Sequence, residues 1–508
     1  MKFGLNDQEI QQIQSVFVKY PAIHTVLVFG SRAMNTFQPA SDIDLALKGD
    51  INFDLLAKVK GELEELPLPY FFDVVNYHDI NTTEFKEHID RYGKIFYLQG
   101  WKEVRLGEVA EIQTGPFGSQ LHEGDYVEIG TPIITVENLV NNVIKFTSGT
   151  PKVSTDDKER LKKYTLQKGD IVFSRVGSVD RCAFITEKEN GWLFSGRLLR
   201  VRPKQMLSDK YTFYWMTQES IKEFVRKIAV GATMPSINTD LLSNVPISFP
   251  SLSEQRAIAA VLSSLDDKIE LLREQNKTLE ATAQAIFKEW FVNFNFPGAN
   301  GKMVDSELGE IPEGWGVGKF EEVVDIRGGT TPCTTNPEFW DGNIAWTSPK
   351  DLSNSKEIFL LETEKRITEK GLKQIGSRLL PAGTLLLSSR APIGYLAIIN
   401  LEVAINQGYI AFLPNQYFSN YFMFLWLKLN MQEVINAANG STFLEISKSS
   451  FRNIDCAIPN KNILEKFNEI IKPFFEKILK NIIQTQSLSV IRDALLPKLM
   501  KGEIRITK

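Results

Sequence analysis

GWKEVRLGEVAEIQTG, residues 100–115, returns at residues 314–329 as GWGVGKFEEVVDIRGG. Two further blocks recur in the same order. LQKGDIVFSR (Leu166 to Arg175) matches LPAGTLLLSSR (Leu380 to Arg390) with one residue inserted, and ATMPSINTDLLSNVPISFP (Ala232 to Pro250) aligns without gaps to STFLEISKSSFRNIDCAIP (Ser441 to Pro459). Self-similarity at a near-constant offset is the mark of a duplicated domain.

Each copy is followed by a helical pattern. After the first, Ile258, Leu262, Leu265, Ile269, Leu272, Asn276, Leu279, Ala283, Ile286 and Trp290 alternate spacings of four and three, an unbroken heptad seam. Ser251 with Glu254 offers a capping box at its start, and Pro297-Gly298 marks its end. Asn276 is the polar residue of the seam and would fix its register. After the second copy, Leu464, Phe467, Ile471, Phe474, Ile478, Asn481, Thr485 and Leu488 repeat the spacing, with Pro473 as a place for a kink. Two seams in one chain predict an intramolecular antiparallel coiled coil of about 60 Å, from about 40 residues at 1.5 Å each. The alternative is two helices packed separately, each on its own domain.

The chain of 508 residues is too long for one hydrophobic core. No apolar run is long enough to span a bilayer, and the first ten residues lack the apolar stretch of a secretory signal. Cys182, Cys333 and Cys456 lie far apart and read as ordinary packed thiols of a cytoplasmic protein with no membrane partner. His24, His78, His88 and His122 show no ligand spacing. Net charge is −4, but residues 1–100 hold 9 Lys/Arg against 14 Asp/Glu, and the remainder 49 against 48. A near-neutral chain can still present a basic face, because local potential attracts phosphate.

Two like domains held apart by a rod suit a polymer with a fixed repeat, and double-stranded DNA is one. Such an arrangement would read a bipartite sequence across an unread spacer. The stretches 116–165 and 330–379 differ between the copies, as expected if each reads different bases. Candidates for contact with base edges and phosphates are Gln120, Lys162, Lys163, Arg175, Arg181, Arg197, Arg200 and Arg202 in the first copy. In the second they are Lys350, Arg366, Lys370, Lys373, Arg378 and Arg390. Any one of them is more commonly a solvated surface charge; the set is what suggests an interface. The turns Thr114-Gly115-Pro116-Phe117-Gly118-Ser119 and Gly328-Gly329-Thr330-Thr331-Pro332 would let backbone approach phosphate closely.

The segment SEQRAIAAVLSSLDDKIELLREQNKTLEATAQAIFKEWF (Ser253 to Phe291) resembles the central helix of type I restriction-modification DNA specificity subunits. LGEIPEGW before the second copy, GDIVFSR, and RDALLPKLMKGEI (Arg492 to Ile504) are similar to that family too. The resemblance implies two target-recognition domains, at 100–250 and 314–460. It also implies a central conserved helix at 251–296, a linker at 297–313 and a C-terminal conserved helix at 461–508. It further implies that the helices dock two adenine methyltransferase subunits, which recruit restriction (translocase/nuclease) subunits. S-adenosylmethionine and ATP would then sit on those partners, with no cofactor in 100–508. That region carries no Gly-Lys-Ser/Thr loop and no Asn/Asp-Pro-Pro-aromatic tetrapeptide.

Residues 1–98 read as a separate domain. In TVLVFGSRAMNTFQPASDIDLAL (residues 25–47) an apolar strand runs into Gly30-Ser31, and a second strand carries Asp42 and Asp44 on one face, about 7 Å apart. Asp73 lies in the apolar strand Phe71-Phe72-Asp73-Val74-Val75. Three carboxylates can hold divalent metal against a triphosphate, and a Gly-Ser turn offers donors to its phosphates. The pattern resembles minimal nucleotidyltransferases of the polymerase-beta-like superfamily, with Met34-Asn35 departing from it. The resemblance implies that Gly30 and Ser31 bind a nucleoside triphosphate and that Asp42, Asp44 and Asp73 bind magnesium. It also implies a toxin-like or other protein acceptor. A degenerate domain kept for protein contacts is the alternative there. The expected fold is therefore α/β: a small nucleotidyltransferase-like α/β domain, then two homologous α+β recognition domains separated by two long helices. For the whole chain the competing classes are an enzyme that uses the repeat as a targeting scaffold and a structural bridge between proteins.

Overall fold

The computed structural model describes residues 2–117, 120–354, 357–375, 378–439 and 444–506. Gly118 and Ser119 of the first glycine-rich turn, and Ser441 to Phe443 of the third repeated block, lie outside the described residues. Two compact units emerge: Met1–Ser264 with Arg492–Lys508, and Leu265–Ile491.

The first unit opens with a four-stranded sheet in the order Phe72–Asn76, Ile43–Gly49, Ile23–Val28, Lys94–Leu98. Phe72–Asn76 runs parallel to Ile43–Gly49, and the other pairings are antiparallel. The stretches Val26-Leu27-Val28 and Leu45-Ala46-Leu47 within these strands are wholly apolar because both faces are covered there. Phe17, Val59 and Leu63 from the helices Asp7–Val18 and Phe53–Glu64 share a cluster with Val26, Val28 and Leu45, while Ile89 packs with Leu27 and Ala46 in another.

The repeat copies share sheet register residue by residue. In the first, Ile171–Ser174 lies between Cys182–Phe184 and Leu198–Pro203, with Ala110–Thr114 beyond. In the second, Leu385–Ser389 lies between Ile393–Ile399 and Tyr409–Phe412, with Ile326–Gly328 beyond. Ser174 pairs with Leu198 as Ser388 pairs with Tyr409. Arg181 N donates to Ser174 Oγ (3.0 Å) as Tyr395 N donates to Ser388 Oγ (2.8 Å). Ile237 N donates to the Arg175 carbonyl as Ile446 N donates to that of Ser389. The structure therefore corrects the sequence alignment: the second block matches without an insertion, and Arg175 corresponds to Ser389, not to Arg390.

Both predicted seams form continuous helices, Leu252–Phe291 and Lys461–Met500, and the second runs unbroken past Pro473. They pair antiparallel. Within the second unit Trp290 meets Phe467 (ring centroids 5.7 Å apart), and Asn481 Nδ2 donates to Asn276 Oδ1 (2.9 Å). Within the first unit Ile258 and Leu262 share a core cluster with Leu499 and Met500. The strict heptad needs two corrections, since Phe287 and Phe475 are the fully buried residues while Ile286 and Phe474 are only half-buried. A helix of 3.6 residues per turn drifts off a 3.5 repeat, and Phe287 also packs on Phe422 of the second repeat copy. The capping box is half made. Glu254 N donates to Ser251 Oγ (3.4 Å), but the Glu254 carboxylate is taken by Arg505 (2.5 and 2.8 Å).

Cys182 and Cys456 are buried as expected, whereas Cys333 is exposed. Its thiol is held below the usual range by hydrogen bonding with Thr335. Among the described residues no helix is long and apolar enough to cross a membrane.

Candidate functional site

In the N-terminal domain Ile23–Val28 ends at Phe29, whose N–H donates to the Asp44 carbonyl (2.9 Å), and Gly30 turns the chain at φ +66°. That turn leaves room for the Asp44 carboxylate alone: a Cβ on Gly30 would stand 2.1 Å from Asp44 Oδ2. Asp44 and Asp73 are register partners on neighbouring parallel strands. Asp42 stands just before its strand, on a loop held by buried Arg32. Arg32 Nε donates to the carbonyls of Ser41 (3.1 Å) and Asp42 (3.0 Å), and its Nη1 to that of Phe3 (2.9 Å). Burial first, then the charges of Asp73 and Asp42, push the Asp44 carboxyl above its usual range, against the pull of Arg32 and His88. The five expected residues thus belong to one neighbourhood, with Asp42 and Asp73 exposed and Asp44 half-buried. Among the described residues no three His, Cys, Asp or Glu side chains already stand together as a ready-made metal group. The site is a set of mutually repelling carboxylates beside a Gly-Ser turn, not a closed cage. Magnesium is ordinarily held by one or two carboxylates together with substrate phosphates, so the donor chemistry fits even though the cage is open.

The first copy sorts its candidates into two groups. Arg200 and Arg202 are corrected from surface contacts to internal ones. Arg200 is 2 % exposed, with Nη2 donating to Glu111 (2.5 Å). Arg202 makes a two-pronged contact with buried Asp170 (2.7 Å each). The other group converges at the end of the strand Ile171–Ser174. Arg175 N donates to the Arg197 carbonyl (2.9 Å), and Ser174 N to that of Arg181 (2.8 Å), so three arginines meet there. Glu137 faces them; its hydrogen bond with the Thr135 hydroxyl, then its own backbone, then Arg197 and Arg181 hold its carboxyl below the usual range. Arg175 Nη1 donates to the Gly196 carbonyl (3.2 Å), and its guanidinium lies 5.8 Å from the Phe117 ring centre. Phe117 is 64 % exposed, and nothing in the sequence pattern distinguished it from a core residue. Gln120 sits beside Tyr164, whose hydroxyl donates to its amide oxygen. Lys162 pairs with Glu159 (2.6 Å), and Lys163 lies 4.8 Å from the Tyr164 ring centre.

In the second copy Lys350 pairs with Glu364 (2.8 Å), Lys370 with Glu338 (3.3 Å) and Arg390 with Glu445 (3.6 Å). Such exposed pairs are worth at most about 1 kcal/mol, so a phosphate competes with them readily. Arg366 donates to the Asn343 carbonyl (3.3 Å) and is exposed, as are Lys373 and Arg378. The glycine-rich turns are corrected as well. A Cβ on Gly115 would meet the Ser195 carbonyl at 2.2 Å, and one on Gly329 that of Ile405 at 2.0 Å. Close backbone approach is used to pack a neighbouring segment of the domain rather than to admit a phosphate. The sequence also gave no sign of the Trp340–Trp346 pair with Lys365 over Trp340 (5.3 Å).

Residues 99–281 and 312–486 match the family described as type I restriction modification DNA specificity domain, and residues 11–100 match polymerase beta, nucleotidyltransferase. The type I restriction enzyme MjaIX specificity subunit of Methanocaldococcus jannaschii is 28% identical over 433 residues, 84% of this chain and 97% of that protein. The HindI specificity subunit of Haemophilus influenzae is 25% identical over 470 residues, 80% of this chain and 100% of its own. The crystal structure of a type I restriction-modification S subunit from M. genitalium superposes with a TM-score of 0.52 at 16% identity. It covers 78% of this chain and 96% of that one, a likeness of fold.

Proposed function

We infer, because this chain belongs to the family of type I restriction-modification DNA specificity subunits, that its two repeat copies read the two halves of a bipartite DNA target. The observation that carries the reading is the shared register. The same strand positions recur residue by residue, while the side chains at the end of the central strand differ, Arg175 against Ser389. A duplicated scaffold with altered tips is what two half-sites of different sequence require. The antiparallel helices then set the spacer and offer docking surface to two methyltransferase subunits. Those subunits supply S-adenosylmethionine chemistry, and the restriction subunits supply ATP-driven cleavage. The test is methylation mapping by long-read sequencing of host DNA, with this chain and its cognate methyltransferase subunit co-expressed. Adenine methylation at a two-part motif with a constant gap is the expected result. An assembled complex that methylates no such motif would remove the reading.

For the N-terminal domain a second reading rests on a separate observation, the Asp44 carboxylate wedged against Gly30 among like charges. Asp42, Asp44 and Asp73 would hold magnesium together with the phosphates of a nucleoside triphosphate, and Gly30-Ser31 would donate to those phosphates. The bound metal supplies charge neutralisation for nucleotidyl transfer to a protein partner, toxin-like or otherwise. A ligand at a hundred times its Kd stabilises its domain by about 2.7 kcal/mol. ATP with magnesium should therefore raise the unfolding midpoint of the wild-type chain and leave Asp42→Ala and Asp44→Ala unmoved. Equal shifts in all three would sink the assignment.

A further inference from the structure

The strand equivalences place the first copy's arginine group against a different set of side chains in the second. Arg175 N donates to the Arg197 carbonyl as Ser389 N donates to that of Gly408. Arg181 takes the place of Tyr395, since the main-chain N–H of each donates to the equivalent serine hydroxyl. Thr114 and Gly328 are equivalent in pairing, so three residues on Phe117 matches Thr331. Three guanidinium groups in the first copy thus become serine, tyrosine and glycine in the second. Where Phe117 supports Arg175, the second copy has Thr331 donating to the amide oxygen of Gln407 (2.6 Å).

Arg175 differs from a loose surface cation in four respects. Its Nη1 donates to the Gly196 carbonyl (3.2 Å), and its guanidinium carbon lies over the Phe117 ring, 5.8 Å from its centre. Phe117 is itself set by close approach, because a Cβ on Gly196 would stand 2.5 Å from the Pro116 carbonyl and 2.8 Å from Phe117 Cβ. Its Nε is buried without a hydrogen-bond partner among the described residues. Asp180, the other acid nearby in sequence, is occupied by Arg226 (2.6 Å). A guanidinium tied through Nη1, with Nε buried, beside an exposed aromatic ring and flanked by two exposed arginines, keeps Nη2 and the second Nη1 hydrogen as an end-on donor pair for one acceptor pair. In DNA the partner for such a donor pair is the O6/N7 edge of guanine in the major groove. Arg181 and Arg197 would carry the phosphates on either side.

We propose that Arg175, seated on Phe117, reads a guanine in the half-site of the first copy, and that the second copy reads its half-site without a counterpart. This rests on the bipartite reading above and adds the base and the side chain. The test uses the assembled complex of full-length chain and methyltransferase subunits, with motif mapping for wild type, Arg175→Lys and Phe117→Leu. Lysine keeps the positive charge and loses the planar fork. Arg175→Lys should therefore lose discrimination at one guanine position by roughly 10- to 100-fold, leaving the other half-site and the gap unchanged. Phe117→Leu should relax the same position by a smaller factor. An Arg175→Lys complex with the wild-type motif would make Arg175 a phosphate contact and overturn the proposal while the bipartite reading stands. Relaxation at an adenine or thymine would overturn it equally. If Arg175→Lys loses both half-sites together, Phe117→Leu decides: relaxation confined to one guanine supports the proposal, and an unchanged motif overturns it. A wild-type complex that methylates no two-part motif overturns the underlying reading and the proposal with it.

Discussion

The two repeat copies align strand for strand, yet they fill one patch of the shared sheet with opposite chemistry. Arg200 and Arg202 on Leu198–Pro203 correspond by pairing to Ala411 and to Leu413, just past the equivalent strand, and Asp170 to Thr384. In the first copy these residues form a charge network. Burial pulls the Arg200 guanidinium down, and the Asp170 hydrogen bond lifts that of Arg202. In the second copy Thr384 is fully buried and spends its hydroxyl on the Pro381 carbonyl (2.8 Å). The fold accepts either solution, so the network is not what defines it. The difference separates two kinds of arginine: those closed within the protein, Arg200 and Arg202, and those left open at the strand end, Arg175, Arg181 and Arg197. Only the second kind can carry recognition.

The comparison breaks first at Asp170. Asp170→Ala leaves Arg202, 28% exposed and paired across the strands with Glu111, without its two-pronged acceptor and should cost the first unit about 2 kcal/mol, the value of hydrogen bonds to a charged group. Thr384→Ala in the second copy should cost about 1 kcal/mol, the value of one neutral hydrogen bond. Denaturant unfolding of the full chain, followed by probes in each unit, measures both; equal costs would mean the network is solvated rather than closed. A smaller effect sharpens the same point. Replacing the group together, Arg200→Ala with Arg202→Leu and Asp170→Thr, copies the second solution into the first sheet and should stay within about 1 kcal/mol of wild type. A triple variant as unstable as the sum of its parts would show that the surrounding packing, not the charge, differs between the copies.

The contrast also marks how far the sequence could be read. The repeat and the heptads were legible because both are periodic, and period survives even where Phe287 replaces Ile286 at the buried position. The acids around Gly30 were only partly legible: Asp44 and Asp73 lie on the expected strands, whereas Asp42 stands just before its strand, where alternation does not set it. The closed and open arginines were not separable. Arg200 and Arg175 each follow or sit among apolar residues in a strand, and the sign that distinguishes them is the acid across the sheet, Glu111 or Asp170, which sequence spacing does not place. The alignment slip at Arg390 has the same origin. An arginine ending each block looked equivalent, whereas the ladder pairs Ser174 and Ser388 and puts Arg390 one step further, against Glu445. Phe117 was missed because its turn was read for the backbone freedom of its glycines, and the side chain's placement depends on Gly196 packed against Pro116 and Phe117.

Open charge should also behave differently from closed charge under titration, and the smallest predicted effect tests this at Asp44. Its carboxyl is raised by burial and by Asp73 and Asp42, so the folded domain binds a proton more readily than the unfolded chain does. For a raised acid the sign is a penalty: stability is reduced at neutral pH, and the loss is relieved as pH falls through the folded value, which lies above the ordinary carboxylate range. Asp44→Asn removes that penalty. The variant should melt slightly above wild type at neutral pH without magnesium, and the two curves should converge at acid pH. The gain should be smaller than either effect in the repeat. A lower midpoint for Asp44→Asn at neutral pH would make Asp44 a structural group like Asp170, and the acids beside Gly30 would then be held together for the fold rather than kept apart for a cation.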